Sequence, residues 1–303
     1  MQHSLRSYLN NPIHFSLQFF TACVLLGRAY QGLFFDLNLR SFFWDEQLLS
    51  PLVTWFTQDS WHHYVTNRSL PTDDLINGLC TSIGLLWLFS AISILFIHKR
   101  QAWTKWLLWA AGFALFLLSL LLWKNNYYAP AQLLEQATQI GLPFLLVHVF
   151  YYNKKESNPS QSWAFNTPKF RGVVMAIIAL TFCSHGLFAI GYYPTSGEWV
   201  MWSKRLLFTQ DDTTIYTFLK VMGILDFVAV VLLFWRPTRT IGLTYCIIWG
   251  FATALARILA NFYLEIPLTS LHEWVYQMVF RLGHGGLPLI LWLLYKKEKR
   301  NET

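Results

Sequence analysis

The sequence predicts an all-α membrane bundle: eight transmembrane helices in two parallel four-helix repeats, with both termini in the cytoplasm. Three observations carry this. The 303 residues are 54% hydrophobic, 18% aromatic and only 13% charged, outside the usual range of soluble globular chains. Apolar stretches of about 20 residues, each long enough to cross roughly 30 Å of hydrocarbon as a helix, recur along the whole chain. Basic residues alternate between rich and poor connecting segments in step with those stretches.

The predicted spans lie near 14–35, 76–98, 103–123, 131–152, 172–192, 215–235, 240–261 and 272–295. The first runs past 20 residues without a small-residue cleavage site and reads as a retained helix rather than a signal peptide. With the N-terminus inside, Arg6, Lys99, Arg100, Lys105, Lys154, Lys155, Lys169, Arg171, Arg236, Arg239, Lys296, Lys297, Lys299 and Arg300 face the cytoplasm. The opposite loops carry Arg40, Arg68, Lys124, Lys204 and Arg205, fourteen basic residues against five. That bias sets the orientation, and it accounts for the net charge of +7 as anchoring beside anionic headgroups, with no nucleic-acid partner. Strong inside-positive loops suit a bacterial inner membrane. Cys23, Cys80, Cys183 and Cys246 all fall in apolar segments without a CxxC pair, so a dithiol or zinc centre is not expected.

The expected organisation is a first membrane unit over 1–153 with a long external loop at 36–75, a cytoplasmic linker at 154–171, and a second unit over 172–303 with a basic tail. The units share local sequence. In the fourth and eighth spans, Gln132, Gln136, Gln139, Gly141, Leu142 and Pro143 align with Gln277, Arg281, His284, Gly286, Leu287 and Pro288 at a constant offset of 145. Gln31-Gly32-Leu33-Phe34 matches His185-Gly186-Leu187-Phe188, and Gly84-Leu85-Leu86-Trp87 matches Gly223-Ile224-Leu225-Asp226. An even number of helices per unit makes the repeat parallel. Each unit also places an aromatic, amphipathic stretch in its first external loop: Phe42, Phe43, Trp44, Trp55 and Phe56, then Trp199 and Trp202. Such stretches anchor at the outer interface, or cap a cavity.

A four-helix unit with a long first external loop, a short basic turn between its second and third helices and a polar fourth helix ending in Gly-Leu-Pro resembles the DoxX/DoxD-like membrane proteins. Two copies make a tandem version. Gly27-Arg28 through Phe35-Asp36, Trp44-Asp45-Glu46 and Leu49-Ser50-Pro51 are also remotely similar to the start of horizontally transferred transmembrane (HTTM) domains, relatives of vitamin K-dependent carboxylases. The resemblance implies a bundle associated with quinone-linked or redox pathways, with lipid-quinone chemistry as a more distant analogy.

Charge inside hydrocarbon costs several kcal/mol unless paired, hydrated or turned toward a cavity. The spans nonetheless contain Arg28, Glu135, Lys220, Asp226, Arg257, Glu273 and Arg281, together with His185 and His284. On the eighth span Glu273, Gln277, Arg281, His284 and Pro288 follow one face at 3.6 residues per turn. We expect a polar site in the second unit, opening outward, built from His185, Lys220, Asp226, Arg257, Glu273, Gln277, Arg281 and His284, with Arg28 and Glu135 as secondary candidates. Asp226 is expected to balance a guanidinium, and a histidine to exchange protons. The plainer alternative is interhelical ion pairs that fix helix register.

A surplus of cations suits a quinone carbonyl, an anionic lipid headgroup or a small carboxylate. Quinone is the one cofactor suggested; none is specified, and no catalytic residue is identifiable. No metal is expected: His62, His63, Asp59, Asp73 and Asp74 share the first external loop, but adjacent histidines point apart. Gly283, Gly285 and Gly286 read as close helix packing rather than a phosphate loop. Three functions stay open: a quinone- or lipid-linked redox protein, a carrier for a small organic anion, and a non-catalytic assembly subunit with membrane-protein partners.

Overall fold

The computed structural model describes residues 12–58, 60–66, 72–152 and 167–302. Every regular element among them is helical: α1 (Pro12–Phe34), α2 (Arg40–Phe43), α3 (Glu46–Thr57), α4 (Trp61–Thr66), α5 (Thr72–Ser93), α6 (Ala102–Asn125), α7 (Pro130–Glu135), α8 (Ala137–Val147), α9 (Pro168–Ala189), α10 (Gly197–Leu206), α11 (Asp212–Phe234), α12 (Arg239–Leu259) and α13 (Pro267–Glu302). Arg6, Asp59, Arg68, Lys154, Lys155 and most of the expected linker lie outside the described residues, as do the side chains of Lys299 and Arg300.

Seven helical segments are long and apolar enough to cross a membrane: Asp73–Lys99, Ala102–Asn125, Pro130–Tyr152, Pro168–Ala189, Asp212–Phe234, Arg239–Leu259 and Pro267–Glu298. They mark the chain as a helical integral membrane protein. The remaining expected span, α1, is a 23-residue helix outside this set, because His14, Gln18, Arg28 and Gln31 dilute its apolar character. Its place explains that composition. It packs broadly against α13 and α5 and also touches α8, with Ile13, Leu17, Val24 and Leu25 buried. A helix walled by protein tolerates polar groups that a lipid-facing one would expose to hydrocarbon.

Helix ends follow local chemistry. Asp211 caps α11 by accepting from the Thr213 and Thr214 amides, and Thr167 caps α9 at Phe170, with Pro168 in the first turn. The expected span at 131–152 is not continuous: α7 stops at Glu135, the Gln136 amide donates back only three residues to Leu133, and α8 restarts at Ala137. This tight turn sits where Glu135 and Gln136 project into the bundle, both nearly fully buried.

The packing follows one order twice. α1 lies against α5, α5 against α6, α6 against α8, and α8 against α1; correspondingly α9 lies against α11, α11 against α12, α12 against α13, and α13 against α9. The two rings join through α13 against α1 and through α9 against α7 and α8. Close backbone approach occurs at corresponding points. A Cβ added to Gly32 on α1 would come within 2.9 Å of Gly84 on α5, and one added to Gly223 on α11 within 3.0 Å of the Gly186 carbonyl on α9. One buried apolar core runs from α1 through α13.

Candidate functional site

Buried arginines organise the polar interior. Arg28, on α1, is 4% exposed. Its Nε donates to Gln139 Oε1 at 2.9 Å, its Nη2 to Gln136 Oε1 at 3.0 Å and its Nη1 to Gln31 Oε1 at 2.7 Å. The guanidinium also stands 3.9 Å from the centre of the Phe280 ring. Three amide oxygens and a π face therefore hold this cation without a carboxylate, distributing its charge over neutral dipoles. The unit-one glutamines that align with Arg281 and His284 are the ligands of Arg28.

A second cluster crosses between the two rings. Arg281 Nη1, on α13, pairs with Glu135 Oε1 at the end of α7. His185 Nε2, on α9, lies 3.2 Å from the same carboxylate oxygen and 3.3 Å from Arg281 Nη1. That nitrogen either donates to Glu135 or accepts from Arg281, so its tautomer is set by which contact forms. His284 Nδ1 faces the Arg281 carbonyl at 3.1 Å, and its ring is 5.8 Å from that of His185. Arg281 Nε and His284 Nε2 are buried with no hydrogen-bond partner.

Beside this cluster lies a cavity of about 190 Å³ between α9, α10, α11 and α12. His185, Asp226 and Arg257 supply its polar wall; Trp199, Trp202, Phe218, Met222 and Trp249 supply much of the apolar one. Arg257 is 4% exposed. Its Nη1 donates to the Thr253 carbonyl, and its guanidinium is 5.0 Å from the Trp202 ring centre. No carboxylate among the described residues lies within ion-pair distance of it. Asp226, 1% exposed, accepts from the Tyr245 hydroxyl at 3.0 Å. It sits fourteen residues into α11, about 20 Å along the axis from the first turn, so the wall reaches well along the helix. Of the lining residues only Leu207, just after α10, and Ala252, on α12, are exposed.

The expected site residues thus fall into three places. His185, Asp226 and Arg257 line the cavity. Arg281, His284 and Glu135 stand behind it, and Arg28 is caged apart. Lys220 and Glu273 are exposed, and neither lines the cavity. Gln277 is half-buried, and its amide reaches only the neighbouring Tyr276 hydroxyl at 3.4 Å. The expected guanidinium partner for Asp226 is replaced by Tyr245, and the carboxylate facing Arg281 comes from the first unit. In the first turn of α5, Asp73 accepts from Arg40, and among the described residues no three His, Cys, Asp or Glu side chains gather as a metal site. All four cysteines are free thiols, and Cys183 is half-buried where the other three are buried.

Sequence reasoning passed over Tyr245 and the cavity-facing stripe of α12. The signal was present: Tyr245, Trp249, Thr253 and Arg257 recur every four residues, one helical face that carries an arginine. No family model matches the chain, and comparison with curated proteins and with solved structures yields no significant match.

Proposed function

We propose that this protein binds an amphiphile of the bilayer, a quinone or a lipid with oxygen acceptors, in the cavity between α9, α10, α11 and α12. One observation carries the reading: Arg257 is buried on the wall of an aromatic cavity, and no carboxylate among the described residues lies within ion-pair distance of it. A guanidinium removed from water gains most from a carbonyl, carboxylate or phosphate oxygen. A volume of about 190 Å³ holds a ring or a headgroup, and in this reading the mouth lies at the exposed Leu207 and Ala252, where an apolar tail would continue into lipid. That mouth favours a membrane-borne ligand over a carrier for a water-soluble anion. Asp226, hydrogen-bonded to Tyr245 deeper in the same wall, would exchange protons with a quinone; such a redox role needs an electron donor supplied by a partner.

The architecture we infer is eight spans, α1 included, in two parallel four-helix units with cytoplasmic termini in a bacterial inner membrane. The twice-used packing order and the paired glycine crossings support the repeat. Lys99, Arg100, Lys169, Arg171, Arg236 and Arg239, all in turns or helix starts on the expected cytoplasmic side, support the orientation. Kinship with DoxX/DoxD-like proteins, and more remotely with HTTM domains, belongs to the same proposal. An assembly role is favoured separately by α3, where Leu48, Leu52, Trp55 and Phe56 are exposed.

The test is native mass spectrometry of the detergent-purified protein with organic extraction, comparing the original chain with Arg257→Gln and Arg28→Gln. We expect a co-purifying quinone or lipid that Arg257→Gln loses and Arg28→Gln keeps. Equal retention in both variants, or an empty original protein that takes up no added quinone or lipid, overturns the reading.

A further inference from the structure

At the opposite end of the bundle a wider cleft of about 660 Å³ opens between the start of α9, the α11–α12 turn and the late turns of α13. Its charged lining is Arg171, Arg236, Arg239 and Lys296 against a single acid, Glu298. Glu298 is already paired with Arg171, so among the described residues Arg236, Arg239 and Lys296 have no ion-pair partner. The four basic residues come from three chain segments, and Arg171, Arg239 and Lys296 gather around two rings. Arg239 and Arg171 lie 4.7 and 5.3 Å from the Tyr295 ring centre, and Lys296 Nζ lies 4.8 Å from that of Trp292. The Arg239 Nε is held by the Leu233 carbonyl at 2.9 Å, leaving its terminal nitrogens for another acceptor.

From this juxtaposition we propose that the cleft binds the phosphate headgroup of an anionic phospholipid. Like charges brought to one cleft repel unless an anion sits among them, and arginine forks match phosphate oxygens two at a time. Trp292 and Tyr295 are residue types that settle at headgroup level, while Met175 and Leu243 continue the wall with apolar surface for the glycerol and upper acyl chain. Basic pockets between transmembrane helices on the cytoplasmic side are suited to such headgroups. General inside-positive bias does not produce this grouping: Lys99 and Arg100 carry the same charge but do not line the cleft.

The experiment titrates the full-length protein with phosphatidylglycerol, phosphatidylcholine or inorganic phosphate and reads bound species by native mass spectrometry. Three chains are compared: the original, the double variant Arg236→Gln/Arg239→Gln, and the charge-matched control Lys99→Gln/Arg100→Gln. The proposal expects preference for phosphatidylglycerol over phosphatidylcholine, weakened on the order of tenfold in the cleft variant and unchanged in the control. Arg236→Gln alone, at an exposed position, covers the case in which the double variant misfolds, and should weaken binding severalfold. Equal loss in cleft variant and control reduces the preference to diffuse charge and overturns the site. Displacement of the lipid by millimolar inorganic phosphate assigns the cleft to a soluble phosphate compound and overturns the lipid. Because the cleft and the Arg257 cavity lie at opposite ends, Arg257→Gln should leave this binding intact.

Discussion

The two halves of the bundle each bury an arginine, and they treat it in opposite ways. Arg28 is enclosed by Gln31, Gln136, Gln139 and the Phe280 ring, so its donors are used within the protein. Arg257 has the Thr253 carbonyl and the Trp202 ring, and otherwise faces a cavity. The short aromatic helices α3 and α10 diverge in the same sense. In the first half α3 presents Trp55 and Phe56 outward, each 73% exposed, whereas in the second half α10 turns Trp202 inward to 5% exposure over the cavity. The lesson is that similar raw material, a buried guanidinium and a short aromatic helix, is closed off where amides complete the shell and left facing a cavity where they do not.

The largest effect should come from the one carboxylate that the first half lends to the second. Glu135→Gln leaves Arg281 buried beside His185 without its counter-charge, and should cost about 3–5 kcal/mol. A drop in thermal stability in detergent measures it. A variant as stable as the original would show that the pair contributes no net stability.

A smaller and opposed pair of effects tests the comparison itself. Arg28→Gln strands three glutamine amides and should destabilise the bundle by about 2–3 kcal/mol. Arg257→Gln removes a desolvated charge with few protein contacts, and should change stability by no more than about 1 kcal/mol. Melting temperatures measured side by side check the contrast. Equal losses would erase the distinction between a structural and a binding arginine.

The smallest effect concerns α3. Lys124 Nζ lies 2.5 Å from Asp45, whose carboxylate also accepts from the Leu48 amide and caps α3. The lysine and then this amide hold the Asp45 carboxyl below its ordinary value. A depressed folded pKa contributes stability that is present above the unfolded value of about 3.9 and is lost as pH falls through the folded one. Acidification below about pH 4 should therefore loosen α3. Protease cleavage in the segment 46–57 should rise there, while Asp45→Asn should be cleaved readily already at neutral pH.

The helices were legible because a bilayer permits little else. With no water to satisfy backbone groups, any apolar stretch of sufficient length must close its hydrogen bonds internally. Composition, span positions, polar candidates and the matched Gly-Leu-Pro and Gly-Leu segments follow from local residue types alone. The break at Gln136 was not legible, since the residues around it are good helix formers and only the burial of Glu135 and Gln136 gives the turn its place. Nor were the partners. Spacing along α13 grouped Glu273 with Arg281, but one helix face can be exposed at one turn and enclosed two turns later. Glu135 meets Arg281 across 146 residues of chain, Tyr245 claims Asp226, and Arg257 is left facing a cavity. Which charge is answered and which remains open depends on how helices from both halves cross, and that is set by long-range packing rather than by any local run of residues.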